Sequence, residues 1–226
     1  MAPIFYFIIG SVPLTAVGLS TLILGLTCAV LANARPYISP EASRVLLKTG
    51  MENTAALIEE LGIQTRAIYL PSSLRNGQPQ ALIPLVDHPD SFQFKEKLPG
   101  RLIVRYGPGA DDMALAVTTP GSINVAMLDN KPGNTADEIE SAITYLLTGV
   151  LDIASGVKVN IADSRLVVEV FGDRMGYEDI LYYQCVGSPT ASIAAAVVSE
   201  ALEKPVRIVT ESRHKQSSRI TLEVYS

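Results

Sequence analysis

Charge is missing from the first 34 residues: no Asp, Glu, Lys, Arg or His precedes Arg35. That excludes an ordinary surface helix, which keeps one polar face in water. Cysteine is almost missing too. Cys28 falls in the uncharged stretch and Cys185 far along the chain, so no disulfide framework is available, which agrees with a reducing compartment. The two histidines, His88 and His214, have no second ligand at helical spacing, and there is no Cys-x-x-Cys, so a transition-metal site is not expected. Positive charge is in deficit as well. A net charge of −5 argues against a general nucleic-acid binder, which is normally basic.

The uncharged stretch is strongly apolar, Ile4 to Ile9 and then Leu14 to Leu31. A membrane span takes roughly 20 such residues. A helix over the whole stretch would reach about 50 Å at 1.5 Å per residue, more than one crossing of a hydrocarbon core of about 30 Å. Gly10-Ser11-Val12-Pro13 offers a break, because proline suits the first turn of a helix and not its interior. The pattern predicts a span over residues 13–32 preceded by a short interfacial piece, 3–9, with a two-pass hairpin as the cramped alternative. Thr21, Gly25 and Ala29 recur every fourth residue, a small-residue stripe that permits close helix association. Ala32-Asn33-Ala34 resembles a signal-peptide cleavage site, but no basic residue precedes the run and the run exceeds the usual 7–15-residue core. Arg35, Arg44 and Lys48 follow the span, which by the positive-inside rule places the N-terminus outside and the remainder in the cytoplasm.

The domain expected over residues 35–226 is long enough for a core of its own. Three segments repeat one pattern, an amphipathic helix followed by two short strands. The first helix opens at Ser39-Pro40, carries Leu47, Met51, Ala55, Ile58 and Leu61 at helical spacing, and stops at Gly62. Strands follow at 66–70 and 80–84. The second opens on the capping box Thr135-x-x-Glu138, runs through Ile139, Ile143, Leu146, Leu147, Val150 and Ile153, and leads to strands at 157–161 and 166–170. The third begins at Ser188-Pro189, runs through Ile193, Val197 and Leu202, and leads to strands at 206–209 and 220–224. Between the first two lies an insert read as three strands, 101–106, 113–117 and 123–127. The whole predicts an α+β domain, a largely antiparallel or mixed sheet with helices packed on it.

The search for catalytic groups yields no assignment. No Gly-x-Ser-x-Gly elbow is present. Tyr106 to Asp112 has two glycines but lacks the Lys-Ser/Thr ending of a phosphate loop and leads into a strand, so it reads as a turn. Adjacent Asp111 and Asp112 diverge on any regular element, and Asp87-His88-Pro89-Asp90 reads as a solvated loop. No cofactor is expected. The ligand-binding candidates lie where Cys185-Val186-Gly187-Ser188-Pro189-Thr190-Ala191-Ser192 enters the third helix: Cys185, Gly187, Ser188, Thr190 and Ser192, with Tyr183 just upstream. Unpaired amides at such an end attract anions, while the plain alternative is a capped helix whose alanines, Ala191 and Ala194 to Ala196, allow tight packing. Lys204, Arg207, Arg213, Lys215 and Arg219 cluster late in the chain and would suit anionic headgroups if they shared a face.

The segments Glu59 to Pro71 (Glu-Glu-Leu-Gly…Ile-Tyr-Leu-Pro), Leu82 to Pro84 and Gly187 to Arg207 (Gly-Ser-Pro-x-Ala-Ser…Lys-Pro-Val-Arg) resemble a family of archaeal membrane-anchored proteins of unknown function, best known from haloarchaea. The resemblance spans most of residues 45–210 and implies the same architecture, without the acidic surface of the haloarchaeal members. The last 70 or so residues, with Cys185, Gly187, Glu200, Val206 and Glu211, are similar to the tail of 4-vinyl-reductase-type small-molecule-binding domains; those carry further cysteines where this chain has His214 and Arg219.

Two functional classes follow. One is a non-enzymatic interaction or scaffold module, single-pass in the cell membrane with its domain in the cytoplasm, whose partners are the bilayer and either a second copy or another membrane protein. The other is a membrane-tethered sensor that binds a small molecule near Gly187 to Ser192. An enzyme ranks third, because no nucleophile–base pair stands out.

Overall fold

A computed structural model describes residues 12–33, 40–75, 80–86, 97–109, 111–162, 165–175 and 180–225. The apolar piece 3–9, Gly10 and Ser11 of the proposed break, the cap Ser39, His88 with its acidic neighbours, and Tyr177 lie outside them. The chain divides into two units, Met1–Thr49 and Gly50–Ser226.

In the first unit, α1 (Val12–Asn33) is a 22-residue helix with no acidic residue in its first turn and no basic residue in its last. Val17, Leu19, Leu22, Ile23, Leu24, Leu26, Val30 and Leu31 are each more than half exposed, so apolar side chains point out all round. Its hydroxyls turn inward: Ser20 donates to Ala16 O, Thr21 to Val17 O and Thr27 to Ile23 O, at 2.7–2.9 Å. Side chains that bond back to the carbonyl four residues earlier leave little polar surface on a helix. Helix α2 (Pro40–Glu60) starts in this unit with Val45, Leu46 and Leu47 exposed. Its second half joins the other unit, where Ile58 is fully buried and Met51 and Ala55 pack on the core.

The second unit is an antiparallel sheet of eight strands among the described residues, in the order β3-β4-β2-β1-β7-β8-β6-β5. The strands are β1 (Ile68–Leu70), β2 (Gln80–Pro84), β3 (Ile103–Arg105), β4 (Met113–Val117), β5 (Gly156–Ala162), β6 (Arg165–Phe171), β7 (Val206–His214) and β8 (Ser217–Val224). Each consecutive pair is antiparallel, so four two-strand units build the sheet. Between strands come α3 (Pro120–Val125), α4 (Ala136–Thr144), α5 (Leu181–Val186) and α6 (Pro189–Leu202). Alternation decides which residues meet the helices. Tyr69, Ala81, Ile83, Leu115, Leu166, Val168, Val170, Ile208, Ile220 and Leu222 join Ile139, Ile143 and the α6 side chains in one core. Ile68, Leu70, Leu82, Ala114 and Ala116 face the other way and are covered by Leu98 and Tyr106, a smaller cluster over half of the sheet.

The α+β class and the antiparallel sheet agree with the sequence reading. The caps read from sequence are in place: Thr135 and Glu138 form a reciprocal capping box, and Ser188 caps α6 ahead of Pro189. Residues 123–127 need correction, being helix and turn where a strand was expected. Thr119 accepts from Ser122 N, Ser122 reaches back to the Thr119 backbone, and Pro120 opens the first turn, so this Thr-Pro-Gly-Ser is a helix start. Helix α4, the one read as running through Ile153, leaves α geometry after Thr144 and continues as a π-helix over Tyr145–Val150. At the sheet edge, Val159 N donates to Glu140 Oε2 of α4 at 2.8 Å, which covers a strand edge that would otherwise template another chain.

Candidate functional site: the seam of the sheet

The two halves of the sheet join at one weak place. Strand β1 has three residues and pairs with β7 only through Ile68↔Arg207 and Tyr69↔Val206. Beyond Arg207, β7 runs on to His214 with β8 alone beside it. The α5–α6 elbow fills the gap this leaves: Ala67 N donates to Cys185 O at 2.8 Å, and the Tyr69 hydroxyl donates to Val186 O at 2.5 Å. From β1's approach, Arg66 Nη1 donates to Val209 O at 2.9 Å and Ile208 O at 3.3 Å, tying the parted strands together.

A β-bulge sets the charge at this seam. Ile208 pairs with Leu222, but Thr210 pairs with the next residue, Thr221, so Val209 is an extra residue in β7. A one-residue insertion reverses which side chains face the core. Glu211 therefore turns toward the helices, where its Oε2 accepts from Ser188 N at 3.1 Å. A carboxylate thus already sits on the N–H of the cap residue at the N-terminus of α6, a favourable place for negative charge. Ser188 Oγ accepts from Ala191 N at 3.1 Å and completes the cap.

Gly187 makes the elbow. Its φ of 78° and ψ of 169° belong to a region that side-chain-bearing residues essentially never occupy. A Cβ there would stand 2.6 Å from Ile208 Cδ1 and 3.3 Å from the Ala191 Cβ. Ser192 is fully buried and its Oγ accepts from Gly121 N at 3.0 Å. The small face of α6 receives α3 here, since a Cβ on Gly121 would collide with Ser192 O and the Ala196 methyl. Tyr183 donates to Met51 Sδ at 2.9 Å and meets Tyr182 edge to face with centroids 5.5 Å apart.

Of the residues picked out by sequence, Cys185, Gly187, Ser188, Thr190, Ser192 and Tyr183 do gather around this elbow; Cys185, Ser188, Thr190 and Ser192 are buried and Gly187 and Tyr183 half-buried. Burial pushes the Cys185 thiol up, with the Arg66 guanidinium opposing. Burial likewise raises Tyr182 to about 12 and Tyr69 further, the latter against hydrogen bonding from the Ser192 and Thr119 hydroxyls. At the elbow two solvent-shielded atoms, Thr190 Oγ1 and Glu211 Oε1, find no partner among the described residues. Tyr69 and Glu211 carry much of the seam's polar chemistry, yet neither was picked out as a site residue. Only the strand register and the bulge reveal where they point.

Elsewhere, Thr21, Gly25 and Ala29 lie exposed on α1, with open space where a Gly25 side chain would go. The late basic residues do not share a face. Arg207 and Arg219 point away from the helices, whereas the bulge turns Arg213 inward to donate to Met175 O and Asp173 O. On the outer side of the seam, Gln64, Arg66, Leu85, Val86, Arg207 and Glu223 line an open groove of about 640 Å³. Among the described residues no group of three His, Cys, Asp or Glu stands ready for a metal ion. The Tyr106–Asp112 turn is held by Asp112 Oδ2, which accepts from Gly109 N at 2.6 Å, and by Arg105 on the carbonyls of Gly107 to Gly109.

A family described as a domain of unknown function, DUF7982, matches residues 7–224. No curated protein and no solved structure matches.

Proposed function

The chain belongs to the DUF7982 family, and from that premise we propose that it is a single-pass membrane protein presenting a non-enzymatic α+β interaction module to the cytoplasm. The family match begins at residue 7 and so takes in the apolar helix. One observation carries the reading: α1 is charge-free, apolar on every side, and leaves its side chains exposed. Its 22 residues reach about 33 Å, and a hydrocarbon core of about 30 Å is the solvent such a helix suits. The other long apolar stretch, Leu181–Leu202, is almost wholly buried in the core, which accounts for its composition without a membrane. The exposed Thr21, Gly25 and Ala29 stripe supplies a surface for pairing with a second copy or another span.

A ligand-binding sensor is the second reading, supported by the unpartnered Thr190 Oγ1 and Glu211 Oε1. An anion there would face the Glu211 carboxylate, so the ligand this site favours donates hydrogen bonds, as an amine or alcohol does.

Sidedness tests the leading reading. Cys185 is buried and serves poorly as a reporter, so the probe is a thiol at the exposed β7–β8 turn, Gln216→Cys in a Cys28→Ala background. An impermeant maleimide is expected to leave it unlabelled on intact cells and to label it after lysis; labelling on intact cells contradicts the cytoplasmic placement. Native mass spectrometry of the detergent-purified chain separates the two readings: an oligomer without added mass supports the module, and a bound small molecule supports the sensor.

A further inference from the structure

We propose that the face of β5, β6, β8 and β7 turned away from the helices is a docking surface for an anionic lipid bilayer, with the Arg66–Arg207 groove as a headgroup seat. The strand register lays this face out in rows. Lys158, Glu169, Arg219 and Ser212 form one; Asn160, Val167, Thr221 and Thr210 the next; Ala162, Arg165, Glu223 and Arg207 the third. Lys158, Arg165 and Arg219 are exposed, and Arg207 is half-buried. With Arg66 at the rim, five basic side chains share the surface with two carboxylates, Glu169 and Glu223, in a chain whose net charge is −5. Glu169 is committed to Arg219 at 2.8 Å. A local excess of positive charge in an acidic protein thus lies on a part of the sheet that, among the described residues, neither the helices nor the smaller cluster covers.

Shape and tethering favour a bilayer. Four strands about 4.8 Å apart make a broad, shallow platform, which suits a plane of headgroups better than the convex backbone of a duplex. Exposed Phe171, in the row with Ser217 and His214, adds an apolar ring able to enter the headgroup–acyl boundary. In the groove a headgroup meets Arg66, already fixed by the carbonyls of Ile208 and Val209, and Arg207, which stands across from Glu223 in the strand register, with Leu85 and Val86 as an apolar wall. The lipid source rests on the anchoring reading: the domain starts at Gly50, close in sequence to the end of α1, so the surface works at high effective concentration.

The experiment reconstitutes the full-length chain, Cys28→Ala, in vesicles of phosphatidylcholine alone or with phosphatidylglycerol. One thiol is placed on the face by Asn160→Cys and, in a separate chain, one on α4 by Ser141→Cys; both positions are exposed. Each basic side chain near an anionic leaflet contributes roughly fivefold in affinity, so maleimide labelling at position 160 should slow by about tenfold or more in anionic vesicles. Labelling at position 141 should not change. High salt, and the double substitution Lys158→Glu with Arg165→Glu, should each restore the rate. Equal rates at position 160 in both lipids overturn the proposal, and so does protection by added RNA in the uncharged vesicles, which would assign the face to nucleic acid. Carbonate extraction of the same vesicles reads the anchor separately: a chain that is stripped refutes the span, while the lipid dependence of labelling still decides the docking face.

Discussion

Gly187 shows how one residue holds the seam. Its backbone conformation is open only to glycine, and the space a side chain would need is taken by Ile208. Gly187→Ala is expected to cost about 1–3 kcal/mol of stability, measured by urea unfolding of the Gly50–Ser226 unit within the whole chain; a loss of a few tenths would mean the elbow relaxes freely. The buried phenols set a pH limit. Tyr182 keeps its proton in the folded state to about pH 12, whereas the unfolded chain releases it near 10. The unfolded state therefore binds fewer protons across that window, and stability falls as pH rises. Tyr69 acts in the same direction. The expected observation is a tyrosinate absorbance increase coincident with loss of near-UV circular dichroism above pH 10; titration of all tyrosines with the fold intact would contradict the burial.

Between elements, the decisive contact is α3 on α6. Gly121 lets the α3 backbone lie against Ser192 and Ala196, and its N–H finds the Ser192 hydroxyl. Gly121→Ala forces these helices apart and is expected to destabilise by about 1–3 kcal/mol or more in urea unfolding. The nearest obstacle is the Ser192 carbonyl, part of the backbone, so trimming the Ala196 methyl in Gly121→Ala/Ala196→Gly is expected to recover little of the loss. The alanine-rich face of α6 was legible in the sequence as a close-packing surface, though its partner was not. Elements with local signals were legible in the same way: the Thr135 box, the Ser188-Pro189 cap and the alternating strands β5, β6 and β8. The helix Pro120–Val125 was misread because Pro120-Gly121 resembles turn punctuation until the Thr119–Ser122 reciprocity is noticed. The seam was beyond local pattern altogether. Nothing near Val209 announces a bulge, so nothing tells that Glu211 turns inward to α6, or that Tyr69 lies beneath the elbow.

At the scale of the whole molecule, two surfaces organise the account: an apolar helix without a polar side and a sheet face that concentrates basic residues. The family spans both, since the match runs from residue 7 to residue 224. In the proposed reading lipid surrounds the first surface, and the second gains from having lipid nearby. Alkaline carbonate extraction of cell membranes carrying the full-length chain tests the first most directly, by asking whether α1 lies in hydrocarbon or only adheres. The account predicts that the chain stays in the pellet and is released only by detergent. Recovery of the intact chain in the carbonate supernatant would contradict it.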